Sequence, residues 1–80
     1  MAGAEQPSIQ SPNDVVGIRG NTMVWKDTIK SCAVRAGAGK YKWDKRSLSW
    51  NVYRSTWDYL VANYPKAAEQ LELIGATRSL

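Results

Sequence analysis

The clearest structural signal in the sequence is a run of alternating apolar and polar residues around a short polar turn. Over residues 40–53, large apolar side chains alternate with lysines, serines and an asparagine. This period of two is typical of strands with one buried face. Residues 44–47 interrupt the alternation and have the composition of a turn. The pattern predicts an antiparallel hairpin with two cross-strand apolar pairs: Trp43 with Leu48, and Tyr41 with Trp50.

Another pair of β-rich runs surrounds a Gly-Asn dipeptide near the start of the chain. Residues 15–19 and 22–25 favour strands, and Gly20-Asn21 between them suits the type II′ turn of a hairpin. Over residues 26–36 the apolar side chains recur at helical spacing. We therefore expect two hairpins with a short helix between them. A strand over 26–36 is the alternative, because several of these residues also suit strands.

The last third of the chain has the pattern of an amphipathic helix. Ser55 stands three residues before Asp58, a spacing typical of a capping box at a helix start. Pro65 interrupts the pattern, and it either kinks one helix or starts a second, because proline suits the first turn. Gly75 is the expected end of this helical region.

These elements predict one small α+β domain over residues 15–75. The first 14 residues contain two prolines and almost no large apolar side chain. Such a segment cannot bury enough surface to offset the entropy of ordering, so we expect a disordered arm. Residues 76–80 are expected to form a frayed tail.

Composition excludes several functional classes. A chain of 80 residues has little core in which to enclose a substrate cavity. Histidine is absent and Cys32 is the only cysteine, so neither a zinc site nor a Ser-His or Cys-His nucleophile is expected. We expect a protein without catalytic activity, cofactor or metal. With no recognisable signal peptide, membrane span or disulfide, we also expect a cytoplasmic protein that does not contact a membrane.

Positive charge is concentrated in the middle of the chain. The formal net charge of the whole chain is +4. Residues 19–54 hold nine lysines and arginines against Asp27 and Asp44, so this segment alone carries +7. Such a segment favours a polyanionic partner.

Candidate contacts with that partner lie on the polar face and the turn of the 40–53 hairpin. The cations would neutralise phosphates, while hydroxyl and amide groups would form hydrogen bonds to the nucleic-acid backbone. Tyr53 belongs to this face by strand parity and is the candidate for stacking on a base. Three tryptophans (Trp43, Trp50 and Trp57) are expected in the core. The predicted nucleic-acid-binding residues are Lys40, Lys42, Lys45, Arg46, Ser49, Asn51, Tyr53 and Arg54.

Three segments in a fixed order carry a resemblance to known modules: Gly20-Asn21-Thr22, Lys26-Asp27-Thr28-Ile29-Lys30, and Trp43-Asp44 followed by Leu48-Ser49-Trp50-Asn51-Val52. Over about residues 17–61 the chain resembles the hairpin, helix, hairpin modules of mobile-element and plasmid proteins, and more remotely the HARP domain of annealing helicases. The resemblance implies DNA binding through a basic hairpin surface, with no catalysis in the module itself.

Two functions are therefore expected from the sequence. The first is a small non-enzymatic domain that binds DNA or RNA through phosphates. The alternative is a protein-protein adaptor, or a structural or inhibitory protein of phage or plasmid origin, whose exposed apolar residues dock a protein partner. The basic centre of the chain favours the first function.

Overall fold

A computed structural model of the protein describes residues 14–75 and 78–80. The predicted α+β class is confirmed. Except for Asp14, the predicted arm lies outside the described residues. Seven elements follow one another within these described residues: β1 (Val15–Gly20), α1 (Thr22–Ala36), β2 (Tyr41–Asp44), β3 (Ser49–Tyr53), α2 (Arg54–Asn63), α3 (Pro65–Gln70) and β4 (Leu71–Ile74).

The four strands form one antiparallel sheet in the order β2-β3-β1-β4. With α1 following β1 and the α2–α3 pair following β3, this is the split βαβ, or ferredoxin-like, arrangement. The helices cover one face of the sheet. Buried side chains from both layers meet there, and they include Ile18 of β1, Val52 of β3, Ile29 of α1 and Leu60 of α2. The core therefore lies between the helices and this face, and we call the opposite face the open face.

The predicted hairpin of residues 40–53 forms, but its register differs by two residues from the prediction. Trp43 lies opposite Trp50, and Tyr41 lies opposite Val52. The turn has the expected four residues but is displaced by one residue, to 45–48, and at its start the Asp44 carboxylate accepts a hydrogen bond of 2.9 Å from the backbone N–H of Arg46. A slip of two residues keeps each side chain on its predicted face. One predicted core residue leaves the sheet: Leu48 lies exposed in the turn, with a positive φ of 52°.

The predicted hairpin at Gly20-Asn21 is wrong, because Thr22 already begins α1. Gly20 ends β1 with a φ of 118°. A Cβ there would lie 2.6 Å from the Gln70 carbonyl oxygen, so only glycine fits this approach. The N–H of Asn21 donates to the same oxygen at 3.0 Å. The Gly-Asn pair thus links the end of β1 to the start of β4, and the helix predicted for residues 26–36 is present with an earlier start.

The C-terminal third decides one open alternative and differs from the prediction in two places. Pro65 starts a second helix, which decides between the two alternatives. Residues 71–74 then form β4 where a helix was expected, since pairing with β1 gives their backbone groups ladder partners and buries Leu71. The predicted capping box is also absent. Ser55 lies inside the first turn of α2, whose N-cap is Tyr53.

Candidate nucleic-acid interface

Arg78, the third residue from the end of the sequence, lies on the open face of the sheet, in a segment that we expected to be a frayed tail. Only 10% of its side chain is exposed. Its Nη1 atom approaches four oxygens at 3.1–3.4 Å; they belong to Asp44, Ser47, Ser49 and Asn51. Because Nη1 carries two hydrogens, these four contacts share them. A single guanidinium therefore contacts four polar side chains of the β2–β3 hairpin on the open face.

A glycine makes room for this arginine. A Cβ at Gly17 would lie 3.0 Å from both Cζ and Nε of Arg78. Asn51, directly opposite Gly17 on β3, also donates to the backbone oxygen of Ser79 at 3.3 Å. Arg78 and Ser79 therefore pack against the centre of the sheet, and the predicted frayed tail is corrected for these two residues.

This packing changes the role of two predicted phosphate contacts. Ser49 and Asn51 are buried, and their side-chain oxygens face Arg78. Tyr53 lies on the open face, as its strand parity predicted, and is half-buried. Arg54 is half-buried and forms an ion pair of 3.3 Å with Asp58. None of these four residues presents a free, fully exposed polar group.

The other four predicted residues lie together at one edge of the sheet. Within the described part of the chain they are exposed and form no ion pair. They precede β2, lie on it, or belong to the turn after it, and β2 is an edge strand. We call this set the basic edge: Lys40, Lys42, Lys45 and Arg46.

Asp44 is the one carboxylate within this stretch of chain. The backbone N–H of Arg46 holds the pKa of Asp44 below its ordinary value, Ser47 and Arg78 contribute in the same direction, and partial desolvation opposes them. The carboxylate therefore stays ionised, and Arg78 at 3.3 Å offsets its charge. Beside it lies a polar cavity of about 270 Å³, which Lys42 and Lys45 also line.

Two aromatic rings lie on the helix-facing side of β2 and remain accessible. Tyr41 is 40% exposed and Trp43 is 37% exposed. The prediction that Trp43 belongs to the core is wrong, because β2 is at the edge of the sheet and the helices cover it incompletely. Both rings meet Trp50 edge to face, with centroid distances of 5.8 and 5.2 Å. Lys30 Nζ lies 5.5 Å from the Tyr41 centroid and 5.3 Å from the Trp50 centroid, within cation–π range.

An apolar groove of about 190 Å³ separates the start of α1 from β2. We call it the Trp43 groove; its lining residues are Thr22, Met23, Lys26, Trp43 and Trp50. Met23 is 81% exposed, so the groove opens to solvent. Sequence reasoning missed these residues because periodicity identifies a face of a strand or a helix, and does not show which strand is at the edge.

The described residues hold no group of three or more side chains suited to binding a metal. Cys32 is buried, and burial raises the pKa of its thiol while Arg35 opposes the rise. A neutral, enclosed thiol is a poor nucleophile. Over residues 14–75 and 78–80, no helix has the length and apolar character to cross a bilayer.

Comparison of the chain with protein-family models, with curated proteins and with solved structures finds no match. The resemblance to HARP-like and mobile-element modules thus stays a prediction. A ferredoxin-like topology does not by itself define a function. The chemistry of the basic edge and of the Trp43 groove is therefore what indicates a function for this chain.

Proposed function

We propose that this protein is a non-enzymatic nucleic-acid-binding domain that contacts phosphates through the basic edge. One observation carries the proposal: four exposed cations without a carboxylate partner among the described residues lie on or next to one edge strand, and the other face of that strand bears two accessible aromatic rings. Basic groups interleaved with aromatic side chains are the combination that single-strand-binding surfaces use.

Charge accounts for the expected affinity. Each lysine or arginine that neutralises a phosphate releases a condensed counterion, so binding weakens as salt rises. Asp44, the carboxylate within the same stretch of chain, is already paired with Arg78, and Asp58 is paired with Arg54. The basic edge therefore keeps its positive charge for a ligand. Phosphate contacts carry no base information, so little sequence preference is expected.

The proposal is tested by fluorescence anisotropy with labelled single strands and duplexes of DNA and RNA, between about 50 and 200 mM salt. If four phosphates are neutralised, log affinity should fall against log salt with a slope of about −2.8 to −3.6, at roughly 0.7 to 0.9 per contact. Dissociation constants of about 10⁻⁴ to 10⁻⁶ M are expected for such non-specific binding.

Charge reversal locates the surface. Lys42→Glu should weaken binding to every sequence, and the double variant with Lys45→Glu should weaken it further. The matched control is Lys66→Glu, which makes the same charge change on α3, next to β4 at the opposite edge of the sheet. An equal loss in Lys42→Glu and Lys66→Glu would show that overall charge and not the basic edge determines binding. Absence of binding at about 100 μM protein in low salt would refute the proposal and favour a protein partner.

A further inference from the structure

The Trp43 groove has the size and chemistry of a small binding site. Its volume of about 190 Å³ is below the roughly 300 Å³ at which sites for drug-sized ligands begin, so it suits one planar ring system. Trp43 and Trp50 meet at an interplanar angle of 62°, which leaves the accessible part of the Trp43 ring free of a parallel aromatic partner. Met23, on the opposite side, supplies a flexible and polarisable surface.

The charges around the groove are positive. Lys26 lines it, and Lys30 lies over the Trp50 ring that forms one wall. Asp27, the acidic neighbour of Lys26 in sequence, does not line the groove. An aromatic cleft with cations at its rim matches a ligand that joins an apolar ring to an anionic group.

We infer that the Trp43 groove takes one unpaired base of a single-stranded nucleic acid whose phosphates follow the basic edge. This inference rests on the proposed function and adds the ligand class to it. A base within a duplex is paired and stacked, so it can enter the groove only after it is unstacked. An unpaired base stacks on the Trp43 ring without that cost. The protein therefore prefers single strands to duplexes.

The test compares a labelled single strand of about 16 nucleotides with the duplex of the same sequence, on the full chain. Trp43→Ala lowers single-strand affinity by about 5- to 150-fold, the effect of losing one base stack, and leaves duplex affinity within about twofold. Trp43→Phe keeps an aromatic ring and retains most of the single-strand affinity. Tyr64→Ala, which removes an exposed aromatic ring at the end of α2, leaves both affinities unchanged.

A second pair of variants changes exposed positions, where a substitution is expected to have little effect on stability. Met23 and Val24 are adjacent and exposed on α1, and only Met23 lines the groove. Met23→Glu lowers single-strand affinity at least about fivefold more than Val24→Glu, while the two variants change duplex affinity equally.

The outcomes separate the two claims. Equal losses for single strand and duplex in Trp43→Ala, or equal single-strand losses in Met23→Glu and Val24→Glu, overturn the groove inference and leave phosphate binding through the basic edge intact. Loss of both affinities in Lys42→Glu, with a loss specific to single strands in Trp43→Ala, supports both claims. Absence of nucleic-acid binding by the unmodified chain overturns both.

Discussion

Gly37 follows α1 directly and packs against Thr56 in the first turn of α2, so Gly37→Ala is expected to destabilise the domain. Both residues are buried. A methyl group at position 37 would overlap the Oγ1 atom of Thr56. On the other side it would lie 3.2 Å from the backbone oxygen of Ala33, so it has no direction in which to move. The φ of Gly37 is −118°, which any residue adopts, and the cost is therefore steric.

The expected magnitude follows from two opposing effects. Adding a methyl group to a packed site costs about 1 to 3 kcal/mol. Replacing glycine with alanine also restricts the unfolded chain, which returns about 0.4 to 1 kcal/mol. We expect Gly37→Ala to lower the free energy of unfolding by about 1 to 2 kcal/mol, a shift in Tm of about 4 to 8 °C for each kcal/mol.

A second substitution isolates the contact. Thr56 Oγ1 is buried and has no hydrogen-bond partner among the described residues. Thr56→Ala removes this unsatisfied hydroxyl together with a buried methyl group, and these effects oppose each other. In the Thr56→Ala background the new methyl group at position 37 occupies the vacated space. The cost of Gly37→Ala should therefore fall to nearly zero there.

The assay is urea denaturation of the four chains of this double-mutant cycle, followed by tryptophan fluorescence. A coupling energy above about 0.5 kcal/mol supports the contact. If Gly37→Ala lowers the free energy of unfolding equally in both backgrounds, or leaves it unchanged in the chain with Thr56, the packing of α1 against α2 through this pair is refuted.

Two further predictions concern the open face. The first concerns Asp44, whose pKa lies below its ordinary value of 3.8, chiefly because the carboxylate accepts a hydrogen bond from the Arg46 N–H. The stability that this carboxylate contributes is complete above pH 3.8 and is lost as the pH falls through the lower pKa of the folded state. The free energy of unfolding should fall less steeply with acid in Asp44→Asn, and identical pH profiles would contradict this. The second is that Arg78→Met should lower Tm more than Arg19→Met, because Arg78 is largely buried whereas the Arg19–Glu72 pair is exposed. The reverse ranking in thermal melts would contradict the packing of Arg78 against the sheet.

Several features of the fold could be predicted from local patterns alone. The alternation from Tyr41 to Val52 identifies a hairpin and places the side chains of both strands on the correct face, although Leu48 lies in the turn, because a β-strand has a period of two wherever it lies. Helical spacing likewise predicts α1 and α2. The basic edge is also visible in the sequence, since its four cations follow one another along a single strand and turn.

Other features depend on contacts between distant parts of the chain. Leu71 fits both a helical and a strand pattern, and only the pairing of β4 with β1 selects the strand. The exposure of Trp43 follows from the position of β2 at the edge of the sheet, which no property of the hairpin encodes. Arg78 contacts Asn51, which lies 27 positions earlier in the sequence, and helps to bury it. Local periodicity assigned the faces, whereas the tertiary structure decided which polar and aromatic groups remain accessible, because accessibility depends on the neighbours that the fold brings together.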